Sequence, residues 1–159
     1  MERRYLIDTN VVLRLGQETL LDSSFFIQRC HLVDEVIDEL GPGLDWEMVR
    51  YPITVRVLEY LTLVMASIPP GNVSLVDLYR NEGRADPVII AAALNALEED
   101  RGTLMGEIQE WAVASEDQAV RQTCAEFGIP TVGLAEMRQL VTRPTEERSG
   151  EATVAESEM

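Results

Sequence analysis

Two short stretches of this chain are apolar at successive positions instead of alternate ones. "RYLID", Arg4–Asp8, carries Tyr5, Leu6 and Ile7 before its aspartate, and "WAVAS", Trp111–Ser115, carries four apolar residues before its serine. A strand with one wet face alternates apolar and polar residues. A strand that is apolar throughout is buried on both faces, which is the situation of a parallel sheet covered by helices above and below. In such sheets functional residues gather beyond the carboxyl ends of the strands. The residues just past Ile7 and Ala114 are therefore the first place to search for chemistry.

The rest of the chain supplies helices and further strands in alternation. From Val11 to about Arg29, the apolar positions Val12, Leu13, Leu20, Leu21 and Phe25 predict helical turns. "CHLVDEV" holds a second short strand before a helix through "DEVIDEL", and Gly41, Pro42 and Gly43 then break the chain. "TVRVLEYLTLVMASI" has helical spacing and is closed by Pro69, Pro70 and Gly71; "NVSLVDL" is expected to be a third strand or a short extended piece. "DPVIIAAALNALEED" is the clearest helix, with Asp86 at the cap position and Pro87 in the first turn. A helix through "QAVRQTCAEFG" stops at Gly128, "IPTVGL" is a final strand and "AEMRQLV" a last short helix. From Thr142 onward the composition turns polar and acidic without periodicity, so residues 1–141 are expected to form one domain and 142–159 a disordered tail.

Composition excludes several kinds of chemistry. With 159 residues, 46% of them hydrophobic, the chain is long enough to bury a sizeable core. Its longest apolar stretches fall short of the roughly 20 residues a membrane helix needs, and the very short apolar run before Asp8 does not resemble a signal peptide. A cytoplasmic protein is expected. Cys30, Cys124 and the single histidine, His31, provide neither a disulfide framework nor a zinc ligand set. His31 directly follows Cys30, and strand neighbours point to opposite faces, so a Cys–His pair is not expected and His31 is assigned a structural role. All 13 basic residues are arginine, which removes lysine-dependent chemistry such as a phosphate-binding P-loop or a Schiff base. The net charge of −15 opposes non-specific binding to nucleic acid and favours cations, a basic partner or a salty medium.

Four carboxylates from distant parts of the sequence could converge on one edge of the sheet: Asp8 and Asp117 follow strands, Asp86 begins the helix "DPVIIAAAL", and Glu39 lies in "DEVIDEL", about one helical turn past the second strand. Each has an ordinary structural explanation. Asp86 before a proline is a helix cap, Asp117 suits a helix start with Ser115 as the cap, and Asp8 with Thr9 and Asn10 is helix-start chemistry too. Glu39 has no capping role and would lie, with Asp34, Glu35 and Asp38, on a solvated helix face. Convergence of all four would mean something different. Carboxylates crowded at one sheet end repel one another unless protons or a cation intervene, and a hard divalent ion prefers such oxygen ligands.

The stretches "YLIDTNVVLRL", "DEVIDEL", "GRADPVIIAAAL" and "WAVASEDQAVRQTCAEFGI" occur in the order seen in PIN-domain ribonucleases, including the VapC-like toxins, and the chain resembles that family over most of residues 3–141. The resemblance implies a three-layer α/β/α fold with a central, mainly parallel sheet. It also implies a Mg2+ or Mn2+ site that cuts RNA phosphodiesters. By position, Asp8 matches the family's first aspartate, Glu39 the glutamate of its "EL" step, Asp86 the aspartate ahead of the "AxA" helix, and Asp117 the aspartate of its "T/S-x-D" step, with Ser115 as the hydroxyl. The expected metal ligands are Asp8, Asp86 and Asp117, with Glu39 ligating or orienting a metal-bound water. Thr9, Asn10 and Ser115 are expected to hydrogen-bond those ligands, and Arg14, Arg84 and Arg121 to reach phosphate oxygens unless they serve as surface charges or local ion pairs.

The toxin likeness further implies an antitoxin protein as partner and a homodimer. The competing expectation is a PIN-like module without catalysis that binds a protein partner or nucleic acid. A phosphatase with a strand-end aspartate nucleophile is disfavoured because Asn10 stands where a second acid is wanted, and a phospho-receiver because it wants a lysine near its acids.

Overall fold

The computed structural model describes residues 2–67, 85–102 and 110–143. The expected extended piece "NVSLVDL", Arg84 and the tail beyond Arg143 lie outside the described residues. Among the described residues, five strands form one all-parallel sheet: β1 Arg3–Ile7, β2 Cys30–Val33, β3 Arg50–Tyr51, β4 Glu110–Ala114 and β5 Thr131–Val132, in the order β3-β2-β1-β4-β5. The helices are α1 Thr9–Leu15, α2 Gln17–Leu21, α3 Ser24–Arg29, α4 Asp34–Leu40, α5 Val55–Ser67, α6 Ala85–Arg101, α7 Gln118–Glu126 and α8 Leu134–Thr142, with one 3-10 turn at Glu47–Val49.

Strand residues account for the layering. Tyr5 sets its ring 5.9 Å from that of Phe25 on α3. Its neighbour Arg4 projects to the other face, where Nη1 bonds His31 Nε2 at 3.1 Å, the His31 ring lies 5.1 Å from Trp111, and Trp111 Nε1 donates to Asp100 of α6 at 2.8 Å. Successive residues of a strand point to opposite faces, so α3 and α6 lie on opposite sides of the sheet. The result is α/β/α. The run Val88–Ala93 of α6 is buried along its whole length, as a helix apolar all round must be, and its alanines let it sit close to the sheet. His31 is structural, as expected: burial and the Arg4 charge hold its pKa down to about 4, so it is neutral and accepts from Arg4.

The structure corrects several boundaries. Val11–Arg29 is divided among three helices, because Gly16, at φ +96°, ends α1 and Ser23 opens α3 by accepting from Phe26 N at 3.3 Å. β3 was not expected; it has two residues, too few for a period, and is held by pairing Leu32 with Arg50 and Val33 with Tyr51. α8 includes Thr142, where the tail was expected to start. Among the described residues, no helix is long and apolar enough to cross a membrane.

Candidate functional site

Strand order selects one place on the sheet. From β1 the chain builds outward to β2 and β3, then returns to add β4 and β5 on the other side, so the order reverses between β1 and β4. Helices leaving two adjacent parallel strands in opposite directions open a crevice at their carboxyl ends. β1 ends at Ile7 and β4 at Ala114, paired across the ladder, so Asp8 and Ser115 meet at that crevice.

Asp8 leaves the sheet with extended backbone, its N–H still bonded to Ala114 O at 3.1 Å, and its Oδ1 caps α1 by accepting from Val11 N at 3.0 Å. Only 4% of the residue is exposed. Burial pushes its carboxyl above the usual range, hydrogen bonds from the Ser115 hydroxyl and Val11 N oppose that, and the charges of Asp117 and Glu39 reinforce it. Ser115 is fully buried and anchored by donating its N–H to Val132 O at 3.1 Å. Its Oγ accepts from Asp117 N at 3.1 Å, so one hydroxyl links the two aspartates.

Asp117 itself caps α7, its Oδ1 accepting from Ala119 N at 2.8 Å and Val120 N at 3.2 Å. Ser115, expected as that cap, instead ties Asp117 to Asp8. The capping explanations for Asp8 and Asp117 thus hold, and they do not compete with a ligand role. A carboxylate has two oxygens, and the backbone bonds of each cap go to Oδ1 alone.

Asp86 departs from its expected cap position. α6 begins at Ala85, which sets Asp86 inside the first turn. Burial above all, and then the charges of Asp8, Asp117 and Glu39, raise its pKa to about 7. Glu39 is exposed in the last turn of α4, and its Oε2 accepts a short hydrogen bond from Thr9 Oγ1. Asp117 and Glu39 therefore act on the charge of both Asp8 and Asp86, and Asp8 on that of Asp86. Their donor set, carboxylate oxygens only, is what Mg2+ or Mn2+ takes. Among the described residues, however, no three acidic, histidine or cysteine side chains stand close enough together to hold an ion in their present positions.

The remaining candidates divide. Asn10 and Arg14 are exposed on α1, while Arg121 is half-buried on α7 one turn after Asp117, its Nη1 lying over Gly133 beside Glu116. Neither Arg14 nor Arg121 is in an ion pair among the described residues, unlike Arg3, Arg29 and Arg50. Two acids carry roles that their sequence context did not suggest. Glu35, expected on a solvated face, is half-buried with Oε2 lacking a hydrogen-bond partner; burial raises its pKa, helped by Asp34, Asp38 and Glu39 on the same helix. Glu116 reaches across to α8, accepting from Leu134 N at 2.6 Å where the Gly133 cap has no side chain of its own. The helix period would have set Glu35 on the same face as Glu39, one turn earlier; nothing local marks Glu116.

No protein-family model matches the chain, and comparison with curated proteins finds no significant match. The likeness to PIN-domain ribonucleases rests on its four ordered motifs.

Proposed function

We propose that the chain is a divalent-metal-dependent endoribonuclease of PIN type. One observation carries this above all: Asp86, whose pKa burial raises to about 7, also feels the charges of Asp8, Asp117 and Glu39, so that acids from four separate parts of the sequence meet. Helix caps alone would not require those acids to share a site. Such an arrangement is costly to keep ionised, and a hard cation is the partner that relieves it.

Asp8, Asp86 and Asp117 would hold the metal, with Glu39 at its exposed side. A bound Mg2+ or Mn2+ supplies an acidified water and neutralises phosphate oxygens. The chain's own residues do the rest. Asp8 and Asp117 are fixed by the helices they cap, and Ser115 holds the pair in register. Arg14 and Arg121 are free of ion pairs among the described residues and are placed on the two helices that leave the crevice, where a guanidinium can fork onto a phosphate. Arg84 keeps its proposed phosphate role on sequence grounds only. The choice of RNA, the toxin role, the antitoxin partner and the homodimer belong to the same proposal and rest on the motif likeness, while the proposed cytoplasmic location rests on the shortness of the apolar runs.

The second reading is a PIN-like module without catalysis, and the spread of the four acids favours it: no three of the described side chains are gathered to ion-binding distance. Metal binding separates the two. Titrating the protein with Mn2+ and incubating it with single-stranded RNA in Mg2+ or Mn2+, beside EDTA and Asp86→Asn controls, should give cutting that both controls abolish. A folded protein that neither binds Mn2+ nor cuts would leave the binding module.

A further inference from the structure

Arg4 carries its charge to the α6 side of the sheet, and in a chain with 28 acidic residues the acceptor it meets there is an imidazole. Its Nη1 lies 3.1 Å from His31 Nε2. A guanidinium has donors only, so Nε2 accepts and the ring proton is on Nδ1. Rings flank the imidazole: Trp111 stands 5.1 Å from it and Tyr51 6.2 Å, and those two are 5.7 Å apart. α6 closes the cluster. Its Asn95, only 2% exposed, donates to the Tyr51 hydroxyl at 3.0 Å, and its Asp100 accepts from Trp111 Nε1 at 2.8 Å. One cluster thus ties strands β1 to β4 to the last two turns of α6.

A carboxylate in the place of His31 would only be neutralised by a proton. An imidazole is converted by one proton from an acceptor into a cationic donor. Protonated His31 would turn an N–H toward Arg4 and set two cations against each other where burial keeps water scarce. The surroundings offer little relief. Among the described residues, Arg4 Nε is already buried without a hydrogen-bond partner, and Tyr51 is a neutral phenol whose pKa burial raises. The acids of α6 are engaged elsewhere, Asp100 with Trp111 and Glu99 with Asn95 Nδ2 at 3.4 Å. Arg3 and Glu110, strand neighbours of Arg4 and Trp111, point to the other face and pair there at 3.6 Å. Burial first, and then the Arg4 charge, hold the His31 pKa down to about 4.

We propose that His31 is an acid-sensitive latch between the sheet and α6. Neutral, it accepts from Arg4 and closes the ring cluster under the helix; protonated, it repels Arg4 and releases the last two turns of α6. Asp86 stands at the other end of that helix, but the latch does not depend on the metal-site reading.

The test uses the full chain in a chelating buffer, and a single histidine makes its resonance unambiguous. The His31 Cε1 proton should titrate at about 4, well below the usual 6.5. A pKa lowered by folding gives a contribution that is complete above 6.5 and lost as pH falls toward 4. Native-state hydrogen exchange, corrected for its intrinsic rate, should therefore show the amides of Asn95–Asp100 opening about tenfold more per pH unit between about pH 6 and pH 4. Those of α7 and α8 should change less than about threefold over the same range. His31→Gln keeps an acceptor for Arg4 but takes up no proton, and should abolish the slope. Arg4→Gln keeps a donor without the charge, and should move the His31 pKa up toward 6.5. The same slope in the natural chain and His31→Gln, a slope shared by α7 and α8, or a His31 resonance titrating near 6.5 would overturn the latch. The resonance is read on the natural chain, so a variant that fails to fold does not hide the answer.

Discussion

Asp86 is the residue at which charge, burial and position meet. Its carboxyl titrates near 3.8 when free and at about 7 in the folded protein. A group whose folded pKa is raised stabilises the protein fully below its unfolded pKa, and that contribution is lost as pH rises through the folded value. Without divalent ions, Asp86 therefore costs the fold increasing stability between about pH 4 and pH 7. Asp86→Asn should be more stable than the natural chain above that window, by on the order of 2 kcal/mol or about 5 °C in Tm, and level with it below about pH 4. His31 acts in the opposite sense. Its pKa falls from 6.5 to about 4, so its contribution is complete above 6.5 and lost on acidification. Being common to both proteins, it cancels in the difference. Thermal melts of the two chains across pH 3–8 in a chelating buffer read this directly; a difference that stays flat with pH would mean that burial and the neighbouring acids do not raise the Asp86 carboxyl.

At the scale of elements, two helix starts are also two corners of the site. α1 and α7 leave adjacent strands, and each is capped by an aspartate proposed above as a metal ligand. Capping and ligation are separable by substitution. Asn caps a helix about as well as Asp, whereas Ala loses the cap at a cost of about 1 kcal/mol. Asp117→Ala should therefore lower the urea midpoint by the equivalent of about 1 kcal/mol, while Asp117→Asn should stay within about 0.5 kcal/mol of the natural chain. If Asp117 is a metal ligand as proposed, both should lose Mn2+ affinity, since neither an amide nor a methyl group supplies the carboxylate's charge. Mn2+ binding by Asp117→Asn at full strength would return Asp117 to a capping role alone. α4 differs from these two helices: its first residue follows Val33 with no side-chain cap, and its contribution, Glu39, comes from its far end.

Over the whole molecule, 28 acidic residues face 13 arginines. Among the described residues, ion pairs engage Arg3, Arg29 and Arg50, and the remaining acidic charge repels itself across the surface. Salt shortens the reach of that repulsion, from about 10 Å at 0.1 M to about 3 Å at 1 M. The urea midpoint should rise with NaCl, by the equivalent of about 1–2 kcal/mol over that range. Mg2+ or Mn2+ at matched ionic strength should raise it further, because a ligand bound by the folded state alone adds about 2.7 kcal/mol at 100 times its Kd. A midpoint that ignores NaCl would mean the acidic charge is locally compensated. Equal effects of NaCl and divalent salt would reduce the carboxylate site to general surface charge.

Local patterns were enough to read the architecture. Non-alternating apolar residues at Tyr5–Ile7 and Trp111–Ala114 required a sheet buried on both faces, and the apolar run after Asp86 required a buried helix. These properties depend on neighbours in sequence, because burial repeats with the period of the element itself. Asp8, Asp86 and Asp117 could be singled out for the same reason, each standing where an element begins or ends, whereas Glu39 was marked by its motif context alone. Other features depend on what lies across space. The two residues of β3 have no period and exist through their pairing with β2. Glu35 and Asp38 look alike in "DEVIDEL", yet one is half-buried and the other exposed, because the surfaces packed against α4 are not written in its own residues. That Asp8, Glu39, Asp86 and Asp117 share one end of the sheet, with Ser115 and Thr9 joining them in pairs, stems from the order β3-β2-β1-β4-β5. Strand order is set by long-range packing, and only the tertiary structure decides it.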